Sequence, residues 1–359
     1  MLRPCQPIDG RRSDRFRPPF CPHEGCPAHT DSGGPYVAKR DGSYRRQCDP
    51  LRRVQRFRCG TCGRGFSQRS FATTYRLKRP ELLAPVAALL VAGSANRQIA
   101  RSLGCSHSTV TRMSVRLGRH ATLFQRWTLA QVDEIREPIV FDHFETFVRS
   151  QVERLGVGTA VGDRSWFVYG LDGARYLRVG GRSTRKRALK RSPSPVRKGV
   201  ITDSTARLLQ MLLAKSPGGL DLVSDDHPSY TSVVRKLQRG AVPIRHSIFA
   251  NPDRSPKRDR ARARRRDRGM FAVDLVHKLI RHSQAHHRRE TIAFGRRVDY
   301  TVGRLALFAV WRNFVKRRSE RRVSRRSPAM DLGLTDRIWS WVDVLAVRLF
   351  EQRVELPAT

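Results

Sequence analysis

Acidic residues are scarce in this sequence. Asp and Glu together number 31 in 359 residues against 71 Lys and Arg, which leaves a formal net charge of +40 at pH 7. Self-repulsion on this scale indicates that a polyanion completes the functional particle. Nucleic acid fits this role better than a membrane surface, because no basic amphipathic helix stands apart from the other segments.

Long apolar runs are absent as well. No uninterrupted apolar stretch approaches the roughly 20 residues that cross a bilayer. The first 20 residues lack the apolar centre of a signal peptide. We therefore expect no membrane partner and a cytoplasmic location.

Cysteine is rare, with 7 residues in the chain, and it is clustered. That is too few for a disulfide scaffold of this length, and in a reducing compartment such clustering favours metal binding. Two pairs, in "CPHEGC" and "CGTCGRGF", lie in turn-forming sequences that present thiolates to a tetrahedral ion. The predicted ligands of a structural Zn²⁺ are Cys21, Cys26, Cys59 and Cys62.

Alternatives remain open for one zinc ligand. The first pair is more widely spaced than in the commonest zinc-ribbon turn, so Cys48, His23 or His29 is a substitute for one of its members. Unmetallated loop cysteines are the other reading. Cys5 and Cys105 are interpreted as bystanders.

A helical pattern begins after the cysteine cluster and contains a helix-turn-helix signature in residues 97–118. Ala100, Gly104 and Val110 occupy the small, turn and apolar positions that such a motif needs. The second helix should begin near Ser106, and the alternative is an ordinary helical hairpin. The residues predicted to face DNA phosphates or base edges are His107, Ser108, Thr109, Thr111 and Arg112.

Two of the scarce acids occur in the strand-like sequence "IVFDHFETF". Side chains alternate along a strand, so Asp142 shares a face with Val140 and Phe144, whereas Glu145 lies on the opposite face. Asp142 directly follows the apolar run and is the preferred site residue. Burial of a lone carboxylate is costly, and a metal ion offsets that cost.

A second acidic pair ends the apolar strand in "LDLVSDDHPSY". Adjacent residues point apart, so only one of Asp225 and Asp226 faces a common site. Two carboxylates from neighbouring strands form half of a site for a hard cation such as Mg²⁺. Two unrelated aspartates that stabilise turns are the alternative.

Other segments give coarser expectations. The strand signals "SWFVYGLDG" and "ARYLRVGG" predict a hairpin with glycine-containing turns. Residues 270–315 contain no proline and are predicted to be largely helical. Residues 182–199 and 254–268 are basic runs that either bind phosphates or remain solvated.

Taken together, the chain resembles a bacterial insertion-sequence transposase with a zinc ribbon, a helix-turn-helix and a DDE-type catalytic domain. The most specific pieces are "FDHFETF", "SDDHPSY" and "HHRRETIAFGRR" with the following "RLALFAVWRNFVKRRSER". The resemblance implies an α/β protein with an RNase H-like core. It divides the chain into a disordered basic N-terminus (1–18), a zinc ribbon (19–75), a helix-turn-helix domain (76–125), a catalytic domain (135–320) with a basic insertion (254–268), and a C-terminal basic, helical tail (321–359).

In that fold a central strand supplies the first acid, a neighbouring strand the second and a later helix the third. The resemblance implies Asp142 and Asp225 as the first two, with Asp226 as the weaker choice for the second. Alignment of "TIAFGRR" with the family places Asp274 at the usual Glu position, with Arg281 seven residues later on the same helical face. Glu290 is the alternative third acid.

The resemblance also implies Mg²⁺ or Mn²⁺ at the acids and double-stranded DNA as the partner. It implies a homo-oligomer on paired DNA ends and a nucleoid-associated location. The implied reaction is hydrolysis at the element end, followed by attack of the freed 3′-OH on target DNA. The alternatives are a DNA-binding regulator, or an inactive relic, in which the acids are dispensable, and a nuclease that cuts without joining.

Overall fold

The computed structural model describes residues 16–30, 36–46, 49–177, 198–240, 242–251, 259–320, 325–346 and 348–354. Most of the predicted disordered N-terminus and most of the basic run at 182–199 lie outside these ranges. Cys5, Cys48 and the start of the 254–268 run do so as well.

The N-terminal unit is a small sheet that carries the cysteines. A short helix, α1 (Pro27–Thr30), precedes the antiparallel strands β1 (Ala38–Arg46), β2 (Asp49–Cys59) and β3 (Gly65–Ser67). Its core is aromatic, with Phe57, Phe66 and Phe71 buried around the cysteines. This unit is compatible with the predicted zinc ribbon.

Three helices follow: α2 (Leu83–Val91), α3 (Asn96–Ser102) and α4 (His107–Ala130). The turn between α3 and α4 is built as the sequence predicts, because Gly104 adopts a φ of +57° and Ala100 and Val110 are buried. The Ser106 side chain accepts a hydrogen bond from the backbone N–H of Thr109 and caps α4.

A five-stranded mixed sheet forms the largest layer, with the spatial order β6-β5-β4-β7-β8. It contains β4 (Ile139–Val148), β5 (Ser150–Gly162), β6 (Val168–Leu177), β7 (Leu220–Ser224) and β8 (Ile244–Ile248). β4, β5 and β6 form an antiparallel meander, whereas β7 pairs parallel to both β4 and β8. β4 is therefore the central strand.

Helices cover both faces of this sheet. They are α5 (Val200–Leu213), α6 (Pro228–Leu237), α7 (Arg260–Gly269), α8 (Phe271–Ser283) and α9 (Val298–Val310). One core places Ile139 and Phe141 of β4 against α5, α6 and the helices of residues 83–130. The other places Val140 and Phe144 against α8 and α9, which confirms the predicted alternation of β4.

The C-terminal segment is part of the folded structure over its described residues. Its short helices are α10 (Pro328–Asp331) and α11 (Trp341–Val344). Beyond them Phe350 is buried among the aromatic residues of the N-terminal sheet, and the Arg353 guanidinium lies 4.1 Å from the Phe20 ring centroid. The two ends of the described chain therefore pack together.

One local prediction is wrong. Residues 168–177, expected to contain a hairpin turn, form the single strand β6. Residues 270–315 are largely helical, as predicted, with a non-helical break at residues 288–297 between α8 and α9. Among the described residues, no helix has both the length and the apolar character needed to cross a membrane.

Candidate active site

Asp142 is the first residue of the central strand β4 beyond its pairing with β7. Pairing of β4 with β7 ends at Phe141 opposite Ser224, so the next residues of β4 have no partner strand on that side within the described chain. The backbone N–H of His143 donates instead to Asp142 Oδ1 at 2.7 Å, and the Tyr230 hydroxyl donates to the same oxygen at 3.2 Å. These donors hold one carboxylate oxygen in place.

The surroundings of Asp142 make its charge costly. Burial, followed by the negative charges of Asp225 and Asp274, raises the pKa of Asp142 to about 7. The structure thus brings two of the predicted acids, Asp225 and Asp274, close enough to Asp142 for their charges to act on it. Each comes from a different element: β4, the residue after β7, and the first turn of α8.

Asp225 begins the turn after β7. Its Oδ1 accepts the backbone N–H of His227 at 3.1 Å, and its Oδ2 accepts the Asn251 side-chain amide at 2.9 Å. Asp226 is exposed and is not among the charges that act on Asp142. Of this pair, it is therefore the charge of the first residue, Asp225, that acts on Asp142.

Asp274 forms an ion pair with Arg266 of α7. Arg266 Nη1 donates to Asp274 Oδ2, and Nη2 lies 3.4 Å from Oδ1. The Arg266 Nε donates to Asn251 Oδ1 at 3.2 Å. A continuous polar path therefore runs from Asp225 through Asn251 and Arg266 to Asp274.

Sequence reasoning missed Asn251 and Arg266. Asn251 follows β8, so a polar residue just past the end of a parallel strand was an available signal. Arg266 was missed because it belongs to the basic run 254–268, which was considered only as a phosphate-binding or solvated segment. Most of the described part of that run is helix α7.

Glu290, the alternative third acid, is exposed in the non-helical connector between α8 and α9. It is not among the charges that raise the pKa of Asp142. Glu290 and Asp274 do not share one continuous helix, because α8 ends at Ser283. The structure therefore groups Asp274, and not Glu290, with the other two acids.

Arg281 points away from the carboxylates. Its guanidinium donates to the backbone carbonyls of Glu145 at 3.0 Å and His287 at 3.2 Å, and it lies 4.6 Å from the Phe144 ring centroid. The contacts with Glu145 and Phe144 join α8, which also carries Asp274, to β4.

His277 lies between these groups, one turn after Asp274. Its Nδ1 is 3.8 Å from Asp142 Oδ2, which is too far for a hydrogen bond. Burial, with the nearby charge of Arg281 as a further cause, lowers the pKa of His277 to about 3. The imidazole is thus neutral beside the acids.

The four predicted zinc ligands converge. Their sulfur atoms all lie within 4.8 Å of one another, with Cys21–Cys62 at 3.8 Å and Cys26–Cys59 at 3.9 Å. Tetrahedral Zn–S bonds of about 2.3 Å place sulfurs about 3.8 Å apart, so the cluster is compatible with a structural zinc ion. The backbone N–H of Thr61 lies 3.4 Å from Cys59 Sγ, which is the orientation that stabilises a thiolate.

The histidine alternatives have other partners. His29 Nδ1 donates to the Cys21 carbonyl at 2.7 Å, and His23 Nε2 lies 3.3 Å from the Gly65 carbonyl. Neither belongs to the converging set. Cys105 lies apart from it, in the turn before α4.

The predicted DNA-facing residues of α4 divide into two groups. His107, Ser108 and Arg112 are exposed. Thr109 and Thr111 are half-buried, and Thr111 accepts a hydrogen bond from Asn96 at 3.3 Å. An open groove beside them is lined by basic and small residues: Arg97, Ala100, Arg101, Gly104, Cys105, Ser106 and His107.

No protein-family model matches the chain, and no curated protein matches it. The chemistry of the site therefore rests on the residues described above.

Proposed function

We propose that this protein is a DNA transposase that uses Asp142, Asp225 and Asp274 to cleave and join phosphodiester bonds. The observation that carries the proposal is the approach of three acids from β4, the end of β7 and α8 in a chain with a net charge of +40. This is the arrangement expected of an RNase H-like core, in which a central strand, its neighbour and a later helix supply the acids.

The carboxylates fit a divalent cation. They are hard oxygen ligands, and the pKa of Asp142 is raised first by burial and then by the negative charges of Asp225 and Asp274, a cost that a bound cation would offset. Bound Mg²⁺ or Mn²⁺ would supply Lewis acidity that activates water and stabilises charge on the transferred phosphoryl group. Asp142, Asp225 and Asp274 would hold it.

The other residues orient these acids. Tyr230 and the His143 N–H occupy Asp142 Oδ1, and Asn251 fixes Asp225. Arg281 acts as a positioning residue, because it joins α8 to β4 through backbone carbonyls. Supports of this kind hold reacting groups in a productive geometry.

The proposed reaction has two steps. Water attacks the phosphorus at the element end, the P–O3′ bond breaks, and a 3′-OH and a 5′-phosphate result. That 3′-OH then attacks a phosphorus of target DNA, and a P–O3′ bond of the target breaks as the new bond forms. No protein–DNA bond is involved.

DNA binding is proposed for the helix-turn-helix and the cysteine unit. The exposed His107, Ser108 and Arg112 at the start of α4 are suited to phosphates and base edges. Joining of two element ends requires two active sites close together, so we propose that the protein acts as a homo-oligomer on DNA.

Alanine variants of Asp142, Asp225 and Asp274 test the proposal. The substrate is a plasmid carrying the DNA that flanks the coding sequence, with Mg²⁺ present, and both cleavage and target-linked products are measured on gels. Loss of an outer supporting residue costs roughly 10- to 100-fold in metal-site activity, so loss of a ligand is expected to cost more. DNA affinity, measured by fluorescence anisotropy, should remain.

Asp226→Ala and Glu290→Ala are the matched controls, because both residues are exposed acids close in sequence to the proposed site. They should retain cleavage. If the three acid variants behave like the controls in every assay, the protein is a DNA-binding regulator. Cleavage without joining identifies a nuclease.

A further inference from the structure

Arg266 differs from the other arginines of α7. The helix carries exposed arginines at positions 260, 262, 264, 265 and 268, whereas the Arg266 side chain is 14% exposed. It turns inward to Asp274, which is itself 22% exposed. One cation of this basic helix has therefore been placed inside the acidic site.

The contacts of Arg266 occupy the oxygens of Asp274. Its two terminal nitrogens face the two carboxylate oxygens, and its Nε binds Asn251. Asn251 in turn engages Asp225 Oδ2. Two of the three acids are thus held by donors whose arrangement depends on Arg266.

Among the described residues, α7 has few other attachments to the core. Ala263 is the buried residue of this helix. At its C-terminal end Gly269 lies against Phe249, with no room for a Cβ atom, since one would come within 2.6 Å of that ring. The ion pair to Asp274 is therefore a principal link between this arginine-rich helix and the acidic site.

We propose that Arg266 is a resident counter-ion that competes with divalent cations for Asp274. This inference rests on the metal site of the proposed function. Two cations a few ångströms apart in a partly buried site repel each other strongly, so Arg266 must leave Asp274 as a metal ion binds. Metal loading then releases a guanidinium that is suited to bind a phosphate.

Mn²⁺ binding to the full-length, zinc-loaded protein tests the inference, with free Mn²⁺ measured by electron paramagnetic resonance in the absence of DNA. Arg266→Gln removes the charge and should bind Mn²⁺ at least about 10-fold more tightly than the wild type. Arg265→Gln, a neighbouring exposed arginine, is the matched control and should bind like the wild type. Far-UV circular dichroism checks that each variant is folded.

Arg266→Lys separates charge from structure. It keeps the cation, so its Mn²⁺ affinity should stay closer to the wild type than to Arg266→Gln. An Arg266→Gln affinity equal to or weaker than that of the wild type overturns the competition while leaving the metal site intact. If Asp142→Asn does not abolish Mn²⁺ binding in either background, the acids do not form a metal site, and the proposed function fails as well.

Discussion

At the residue scale, Asp142 is a carboxyl group that the fold makes costly to ionise. It lies on the central strand, with Val140 and Phe144 on the same face, and it is subject to the negative charges of Asp225 and Asp274. Folding raises its pKa from an ordinary value near 3.8 to about 7. Such destabilisation is typical of sites where charge serves chemistry rather than stability.

The raised pKa of Asp142 predicts that Asp142→Asn changes the stability of the protein in a pH-dependent way. Because the pKa of Asp142 is higher in the folded than in the unfolded state, the protonated acid contributes to the free energy of unfolding. This contribution is fully present below the unfolded-state pKa and is lost as the pH rises through about 7. Above pH 7 the folded wild type carries a buried negative charge that the Asp142→Asn variant lacks. The variant should therefore be more stable there by up to about 4 kcal/mol, whereas near pH 4 the two proteins should be alike.

Urea unfolding followed by tryptophan fluorescence at pH 4, 5.5 and 8 measures this difference. Asp226→Asn is the control, because Asp226 is exposed and should change stability little at any of these values. A stability difference between wild type and Asp142→Asn that is independent of pH argues against a raised pKa for Asp142.

At the element scale, β4 and its parallel neighbour β7 were predictable from the sequence, whereas its antiparallel neighbour β5 was not. The alternation in "IVFDHFETF" identifies the faces of β4, because a buried strand with two covered faces leaves a simple pattern. β5 was missed, since Gly156 and Gly158 weaken its strand signal. Both lie against α5, where a Cβ would come within 2.8 Å of Ile201 or 2.7 Å of Leu208.

The same cause explains the incorrect hairpin. The glycines of "SWFVYGLDG" indicated a turn, yet Gly170 lies within β6, and a Cβ there would meet Leu208 and Met211 at 2.7 Å. Glycine serves both in turns and in the close packing of a helix on a strand, and local sequence does not distinguish the two. Similarly, the choice between Asp274 and Glu290 depended on where α8 ends.

The cysteine unit gives a prediction for this scale. Cys59→Ser should lose about one zinc ion per chain, because three remaining thiolates do not complete a tetrahedral site. Structural zinc stabilises small metal-binding units by about 10 kcal/mol or more, so the unit around β1, β2 and β3 should unfold. Metal analysis gives the stoichiometry, and limited proteolysis detects the unfolding.

Cys105→Ser is the control for that experiment. Cys105 is a half-buried free thiol outside the cluster, so its variant should retain zinc and protease resistance. Equal zinc content in Cys59→Ser and Cys105→Ser would rule out the four-cysteine site.

At the scale of the whole molecule, the helix-turn-helix and the sheet share one core. Residues of α2, α3 and α4 belong to the same buried cluster as Ile139 and Phe141 of β4. α4 and α9 approach so closely that a Cβ on Gly118 would lie 3.1 Å from the Gly303 backbone. The proposed DNA-binding helix is therefore packed directly on the proposed catalytic domain.

A buried arginine strengthens this junction. Arg304 of α9 is fully buried and donates to the Leu90 carbonyl at 3.3 Å and to the side chains of Asn96 and Ser114 at 3.3 and 3.4 Å. The Arg304 Nε also donates to the side-chain oxygen of Gln284, just after α8, at 3.4 Å. Hydrogen bonds to a charged group contribute more to stability than those between neutral groups. The bonds of Arg304 therefore fix the orientation of α9 against α2, α3 and α4.

This shared core predicts that the helix-turn-helix and the sheet unfold together. Gly118→Val places a branched side chain against the Gly303 backbone, and overpacking of this kind costs about 1–3 kcal/mol. Thermal unfolding followed by far-UV circular dichroism and by tryptophan fluorescence should shift to lower temperature by the same amount with both probes.

Arg119→Val is the control, at the next and exposed position of α4, and should cost less than about 1 kcal/mol. If Gly118→Val instead splits the transition, so that the helical signal is lost first while the tryptophan signal keeps its wild-type midpoint, the two parts fold independently. The direct coupling of the proposed DNA-binding helix to the proposed catalytic sheet is then wrong.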